Sequence, residues 1–169
     1  LGHYALTQRA LGLPSSLVGH SVGQVYFQAA NAEKLKNGSA TLVFKSTVKK
    51  LITLSLPIFF ILYFVIEDLF LFVFGKDWAV AGEYAKILIP LFLMRFIFSP
   101  VSVTFSTFEK QRLALFLQAG LMLLATSIIV ISGVIDLGFK DFLYFFSFLM
   151  SSYYLFFLYI AYLVAIKKL

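Results

Sequence analysis

The sequence predicts an all-α fold, a polytopic transmembrane helical bundle of about five membrane helices, on three observations. Hydrophobic residues fill 61% of the 169 positions, and the mean hydropathy is +0.94, well above a soluble domain's share. Charged residues make up only 13% and aromatics 18%, with 21 Phe, so a soluble chain of this size would lack the polar groups to cover its surface. Several apolar runs also reach the ~20 residues that cross a bilayer. The expected spans are 1–30, kinked near Pro14; 42–66, containing Pro57; 84–108, containing Pro90 and Pro100; 113–135; and 142–166. At 1.5 Å of rise per residue, runs of 22 to 25 residues reach about 33–38 Å, slightly more than the hydrocarbon core. Prolines inside them are tolerated because neighbouring helices and water satisfy the freed carbonyls.

The connections between these spans alternate in charge. Residues 31–50 carry Lys34, Lys36, Lys45, Lys49 and Lys50 against Glu33. Residues 67–86 carry Glu67, Asp68, Asp77 and Glu83 against Lys76 and Lys86. The short 109–112 segment is basic, 136–141 is acidic, and the tail ends in Lys167 and Lys168. Lys and Arg therefore fall on one side at every second connection, which the positive-inside rule assigns to the cytoplasm, with Leu1 outside and Leu169 inside. "FGKDW" fits the outer interface: Gly75 ends a helical stretch, Asp77 caps the next, and Trp78 anchors at headgroup level. "LFLFVFG" (69–75) reads as a half-embedded continuation beyond Glu67 and Asp68. The chain opens on "LGHYALTQRA", with neither Met nor a signal-peptide pattern, and so reads as a piece of a longer protein.

Polar residues line up inside the apolar helices. Steps of four from Gln8 give Gly12, Ser16, His20, Gln24 and Gln28, a row that winds slowly around the helix. Ser15, Gly19 and Gly23 form a neighbouring row of small residues suited to close helix approach. Arg9 adds a charge. In the third span, Arg95, Ser99, Ser102 and Ser106 recur at steps of four, three and four, so one face is polar. An Arg at a helix centre costs about 2.5–3.5 kcal/mol on insertion scales, and such residues face a bundle interior or a water-filled path. No Asp or Glu lies mid-span to match Arg9 or Arg95. A positive, wet lumen suits the passage of an anionic group. Gln111, Gln118, Tyr144, Ser147, Ser151 and Tyr154 read as packing contacts or interfacial aromatics.

Catalytic chemistry finds little footing. The chain has no Cys and only His3 and His20, so neither a thiolate metal site nor a His cluster forms from it, and no cofactor is implied. A Ser–His nucleophile would need His20, which has no acid placed to orient it. The basic connection suits anionic lipid headgroups, and membrane lipids are expected partners. Nucleic acid is not, because the lysines lack an interleaved aromatic platform.

Two stretches resemble a known family. "GHYALTQRALGLPSSLVGHSVGQVYFQAA" resembles a helix of oligosaccharide flippases that begins Gly-x-Tyr-x-Leu with an Arg, passes a Pro and ends in a Gln-Val-Phe-like stretch. "FGKDWAVAGEYAKILIPLFLMRFIFSPVS" resembles the same family's Phe-Gly-x-x-Trp loop, Ala-Gly, Ile-Leu-x-Pro and Ser-Pro. Beyond residue 108 the likeness rests on hydropathy. The family is the polysaccharide exporters of the multidrug/oligosaccharidyl-lipid/polysaccharide superfamily, built of roughly a dozen helices in two lobes. The resemblance implies that 1–169 is the C-terminal-lobe region of a bacterial inner-membrane flippase, whose partner is an N-terminal lobe outside this segment. It implies movement of polyprenyl-pyrophosphate-linked oligosaccharide for lipopolysaccharide or capsule synthesis, with no bond made or broken. Arg9 and Arg95 are then the positions that meet pyrophosphate or acidic sugars, and His20, Gln24 and Ser99 complete the pathway. The alternatives are a peptidoglycan-precursor flippase or multidrug antiporter of the same superfamily. From another class comes a membrane-embedded polysaccharide polymerase or acyltransferase, which would favour longer outer loops than these.

Overall fold

A backbone that crosses hydrocarbon must satisfy its own polar groups, and this chain does so with helices throughout. The computed structural model describes residues 2–168, apart from the side chains of Leu13 and Pro14. The helices are α1 (Gly2–Asn37), α2 (Thr41–Phe74), α3 (Ala79–Val101), α4 (Thr104–Thr107), α5 (Gln111–Val134) and α6 (Phe139–Ala165), with a 3₁₀ turn at Lys76–Trp78. The kink expected at Pro14 and the placements of Leu1 and Leu169 lie outside the described residues and side chains. Among the described residues, four helices are long and apolar enough to cross a membrane: α2, α3 with its flanking turns, α5 and α6. The molecule is thus a polytopic, helical, membrane-spanning bundle. The remaining long helix, α1, falls short in apolarity, as its row of Gln, Ser, His and Arg dictates, and it joins the bundle through packing instead.

That packing centres on α3, against which α1, α2 and α6 all lie, whereas α5 touches mainly α6. The row of small residues on α1 does what its spacing predicts. Ser15, Gly19 and Gly23 are buried. A Cβ added at Gly19 would fall 2.5 Å from Ser99 Oγ, and one at Gly23 would lie 3.5 Å from the Pro100 carbonyl oxygen. Two hydrogen bonds hold the ends of this contact: Thr7 Oγ1 donates to the Ala81 carbonyl at 2.9 Å, and the Tyr26 hydroxyl meets Thr104 Oγ1 at 2.6 Å. On the other side of α3, a Cβ at Gly82 would meet the Glu67 Cα at 3.0 Å, so the backbones of α2 and α3 touch there.

Several boundaries differ from the sequence reading. The basic connection 31–50 is mostly helix: α1 runs to Asn37, α2 starts at Thr41, and Gly38 turns the chain at φ 73°. The Glu33 carboxylate accepts from the Leu42 and Val43 N–H groups at 3.0 and 2.7 Å, capping α2 with a charge that suits its dipole. At the other end, α2 does not stop at Glu67 and Asp68 but continues to Phe74, where Gly75 at φ 86° turns the chain out. Asp77 forms no cap; it lies within the 3₁₀ turn, and Trp78 precedes α3 without a side-chain bond. The expected 84–108 helix starts earlier, at Ala79, and breaks after Val101. Pro100 withdraws one amide donor there, and Ser102 Oγ bonds the Ser99 carbonyl at 2.7 Å, so the chain turns before α4.

Candidate functional site

The polar face of α3 borders two grooves. Between α1 and α3, a cavity of about 290 Å³ is lined by Gly12, Ser15, Ser16, Gly19 and His20 on one side and by Arg95, Ser99, Ser102 and Val103 on the other. Between α3 and the α5–α6 pair, a cavity of about 370 Å³ is lined by Arg95, Ser99, Ser102, Ser106, Gln111, Gln118 and Tyr154, with Phe98, Phe105, Ala114 and Phe157. Arg95, Ser99 and Ser102 belong to both. The guanidinium therefore stands at the ridge between two polar hollows, reached from either side.

Arg95 is exposed, and its charged end lies 5.6 Å from the centre of the Phe92 ring. Among the described residues, the ion pairs are Glu67–Lys86 and Glu83–Lys140, and neither involves Arg95. Five N–H donors fixed in a plane thus remain available to an acceptor that enters the grooves. Serine hydroxyls, an imidazole and two amides around it supply bonds to neutral oxygen atoms but no competing anion. Among the described residues, no three His, Asp or Glu side chains converge to hold a metal.

Of the residues singled out by the sequence, Arg95, Ser99 and His20 come together at the α1–α3 groove. Arg9 and Gln24 are exposed on α1 and line neither groove. The winding row carries Gln24 around α1, away from α3, whereas Arg9 lies along α1 before Gly12, the first residue of the groove. Gln111, Gln118 and Tyr154, read from sequence as packing residues, instead line the second groove. Pairing α5 with α6 brings them there: the Tyr153 hydroxyl bonds the Leu117 carbonyl at 2.8 Å, and Gly120 accommodates that same tyrosine. A signal existed in Gln111 and Gln118, seven residues apart and so on one side of α5, but only the helix arrangement aims that side at Arg95.

No family model, curated protein or solved structure matches this chain. The likeness to oligosaccharide flippases therefore rests on the motifs in α1 and α3. What stands beside it is a polytopic helical membrane bundle consistent with transporter and flippase superfamilies in general.

Proposed function

We propose that this chain forms the C-terminal-lobe region of a flippase that carries polyprenyl-pyrophosphate-linked oligosaccharide across a bacterial inner membrane for surface polysaccharide synthesis. The observation that carries the reading is Arg95: a permanent cation within α3, without a carboxylate partner among the described residues, flanked on both sides by polar grooves. A pyrophosphate offers acceptor oxygens that match a planar guanidinium, and hydroxyl-rich sugars match the Ser, His, Gln and Tyr side chains around it. Tight, permanent binding would stall transport, and a site of one cation among neutral hydrogen-bonding groups holds its ligand loosely enough to release it. A second lobe facing these grooves completes the path and allows alternating access. In this reading the lysine-rich end, with the 38–40 turn, lies in the cytoplasm, and the Lys76–Trp78 turn lies outside.

The test is a deletion strain complemented with the full-length protein, with its Arg95→Ala variant, or with residues 1–169 alone. The leaflet location of the lipid-linked repeat unit is the readout. The deletion should trap repeat units on the cytoplasmic leaflet, and only the intact full-length protein should restore export. Export by 1–169 alone overturns the two-lobe reading. Normal flipping in the deletion strain, with polymerisation alone lost, points to the polymerase reading.

A further inference from the structure

Lys86 lies nine residues before Arg95, about half a turn around α3, and so faces the opposite way. There α3 floors a third cavity, of about 620 Å³, walled by α2 and α6. Its charges alternate across the three helices. Glu67 of α2 pairs with Lys86 of α3 at 3.2 Å, and Glu83 of α3 pairs with Lys140 of α6 at 2.5 Å. Each ammonium carries three donors and each carboxylate several acceptor sites, so both pairs keep bonding capacity for a ligand.

Two further groups belong to residues of the same wall. Ser147 is 3% exposed, lines the cleft, and has a hydroxyl with no hydrogen-bond partner, a condition that buried polar groups rarely sustain. Pro90 has no N–H, so it cannot give the Lys86 carbonyl one turn earlier the usual helical bond. From Lys140 to Ser151 the cleft follows α6 for eleven residues, about 16 Å, or roughly half the hydrocarbon thickness. It is charged at the end of the bundle marked by the Lys76–Trp78 turn and becomes hydroxyl-lined and apolar with depth. Phe148 in the cleft wall is 70% exposed, and on α2 Phe64, in ring contact with the cleft-lining Tyr63, and Phe60 are 62% and 66% exposed, a surface suited to acyl chains.

A lone anion would meet two carboxylates here, and a lone cation two ammoniums; a molecule carrying both charges satisfies all four. We propose that the cleft binds the headgroup of a zwitterionic phospholipid with a primary ammonium, of the phosphatidylethanolamine type. Its phosphate lies toward Lys86 and Lys140. Its ammonium donates to Glu67, Glu83 and the Lys86 carbonyl. Its ester region meets the Ser147 hydroxyl, and its chains leave between α2 and α6. A choline headgroup lacks the N–H donors, and a glycerol headgroup lacks the cation. The site requires only that the bundle be membrane-embedded, and it is independent of the transport reading.

The experiment offers the delipidated full-length protein equal amounts of phosphatidylethanolamine, phosphatidylcholine and phosphatidylglycerol with matched chains, and native mass spectrometry counts the lipid retained. The ethanolamine lipid should be retained about tenfold over either competitor. Glu67→Gln with Glu83→Gln should erase its advantage over phosphatidylcholine, and Lys86→Gln with Lys140→Gln should lower retention of all three. A swapped pair, Glu83→Lys with Lys140→Glu, preserves the α3–α6 bridge should the neutral variants fail to fold, and it should weaken the preference. Equal retention of the three lipids, or variants that keep the preference, overturns the proposal. Displacement by soluble phosphoethanolamine at the lipid's own concentration also overturns it, by showing a site for the free zwitterion.

Discussion

The two polar faces of α3 solve the cost of charge in a membrane in different ways. Near the Lys76–Trp78 end, Lys86 is matched by Glu67, and Glu83 by Lys140, across helix boundaries. Further along, Arg95 has no carboxylate partner among the described residues, with the Phe92 ring beside it and polar hollows to either side. A paired charge is neutral before any ligand arrives and serves to hold helices in register. An unpaired one keeps its full field for whatever enters. The same helix therefore carries two matched charges and an open cation, and the distinction lies in what the neighbouring helices place opposite each.

The largest effect should come from reversing the open charge. With export of the repeat unit as readout, Arg95→Glu should abolish transport. Arg95→Ala should leave about a tenth or less, a rise of about 1.4 kcal/mol or more in the barrier, and Arg95→Lys should keep a partial rate. All three should remain at wild-type levels in the membrane, because a side chain bordering grooves does not hold the bundle together. A drop in membrane protein that parallels the loss of export would instead make Arg95 a packing residue.

Next comes the contact between α2 and α3. Gly82→Leu drives side-chain atoms against the Glu67 backbone, which cannot swing aside, and should destabilise the protein by about 1–3 kcal/mol. Gly19→Ala should cost less, because the atom it meets first is the Ser99 hydroxyl, which can rotate. Thermal melts of the two variants in one detergent give the order; equal melting temperatures would mean that the α1–α3 contact is as rigid as the α2–α3 contact. The smallest effect belongs to the Glu67–Lys86 pair. Its side chains are 45% and 33% exposed, so Glu67→Gln should change stability by no more than about 1 kcal/mol, and less in high salt. A salt-independent loss of several kcal/mol would show that the pair is sealed from water.

Much of the fold was legible because each device announces itself at a fixed spacing. The apolar runs predicted the membrane helices, and Ser15, Gly19 and Gly23, four apart, predicted the face that α1 presses on α3. Glu67 and Asp68 ended the expected 42–66 span, with 69–75 as a half-embedded continuation; in the structure α2 runs unbroken through both acids to Phe74, and Glu67 meets Lys86 on the next helix. The missing Asp77 cap has a similar origin: a 3₁₀ turn occupies the residues where a capped loop was expected. At the candidate site, Arg95, Ser99 and His20 were readable as polar positions on two helices. Gln111, Gln118 and Tyr154 were not, because their role depends on which way α5 and α6 turn relative to α3, and a helix's own periodicity does not state that.

The position of α3 also bears on the order in which the chain assembles. Synthesis delivers α1 before α2, and α2 before α3, so α1 exists for more than forty residues of elongation before the surface that covers its small-residue row appears. At about 5–20 residues per second, that is a wait of several seconds. Through that interval the least apolar long helix of the bundle has neither the Ala81 carbonyl for Thr7 nor the Thr104 hydroxyl for Tyr26. Only the arrival of α3, with α4 directly behind it, ends it, which makes the central helix the keystone in time as well as in space.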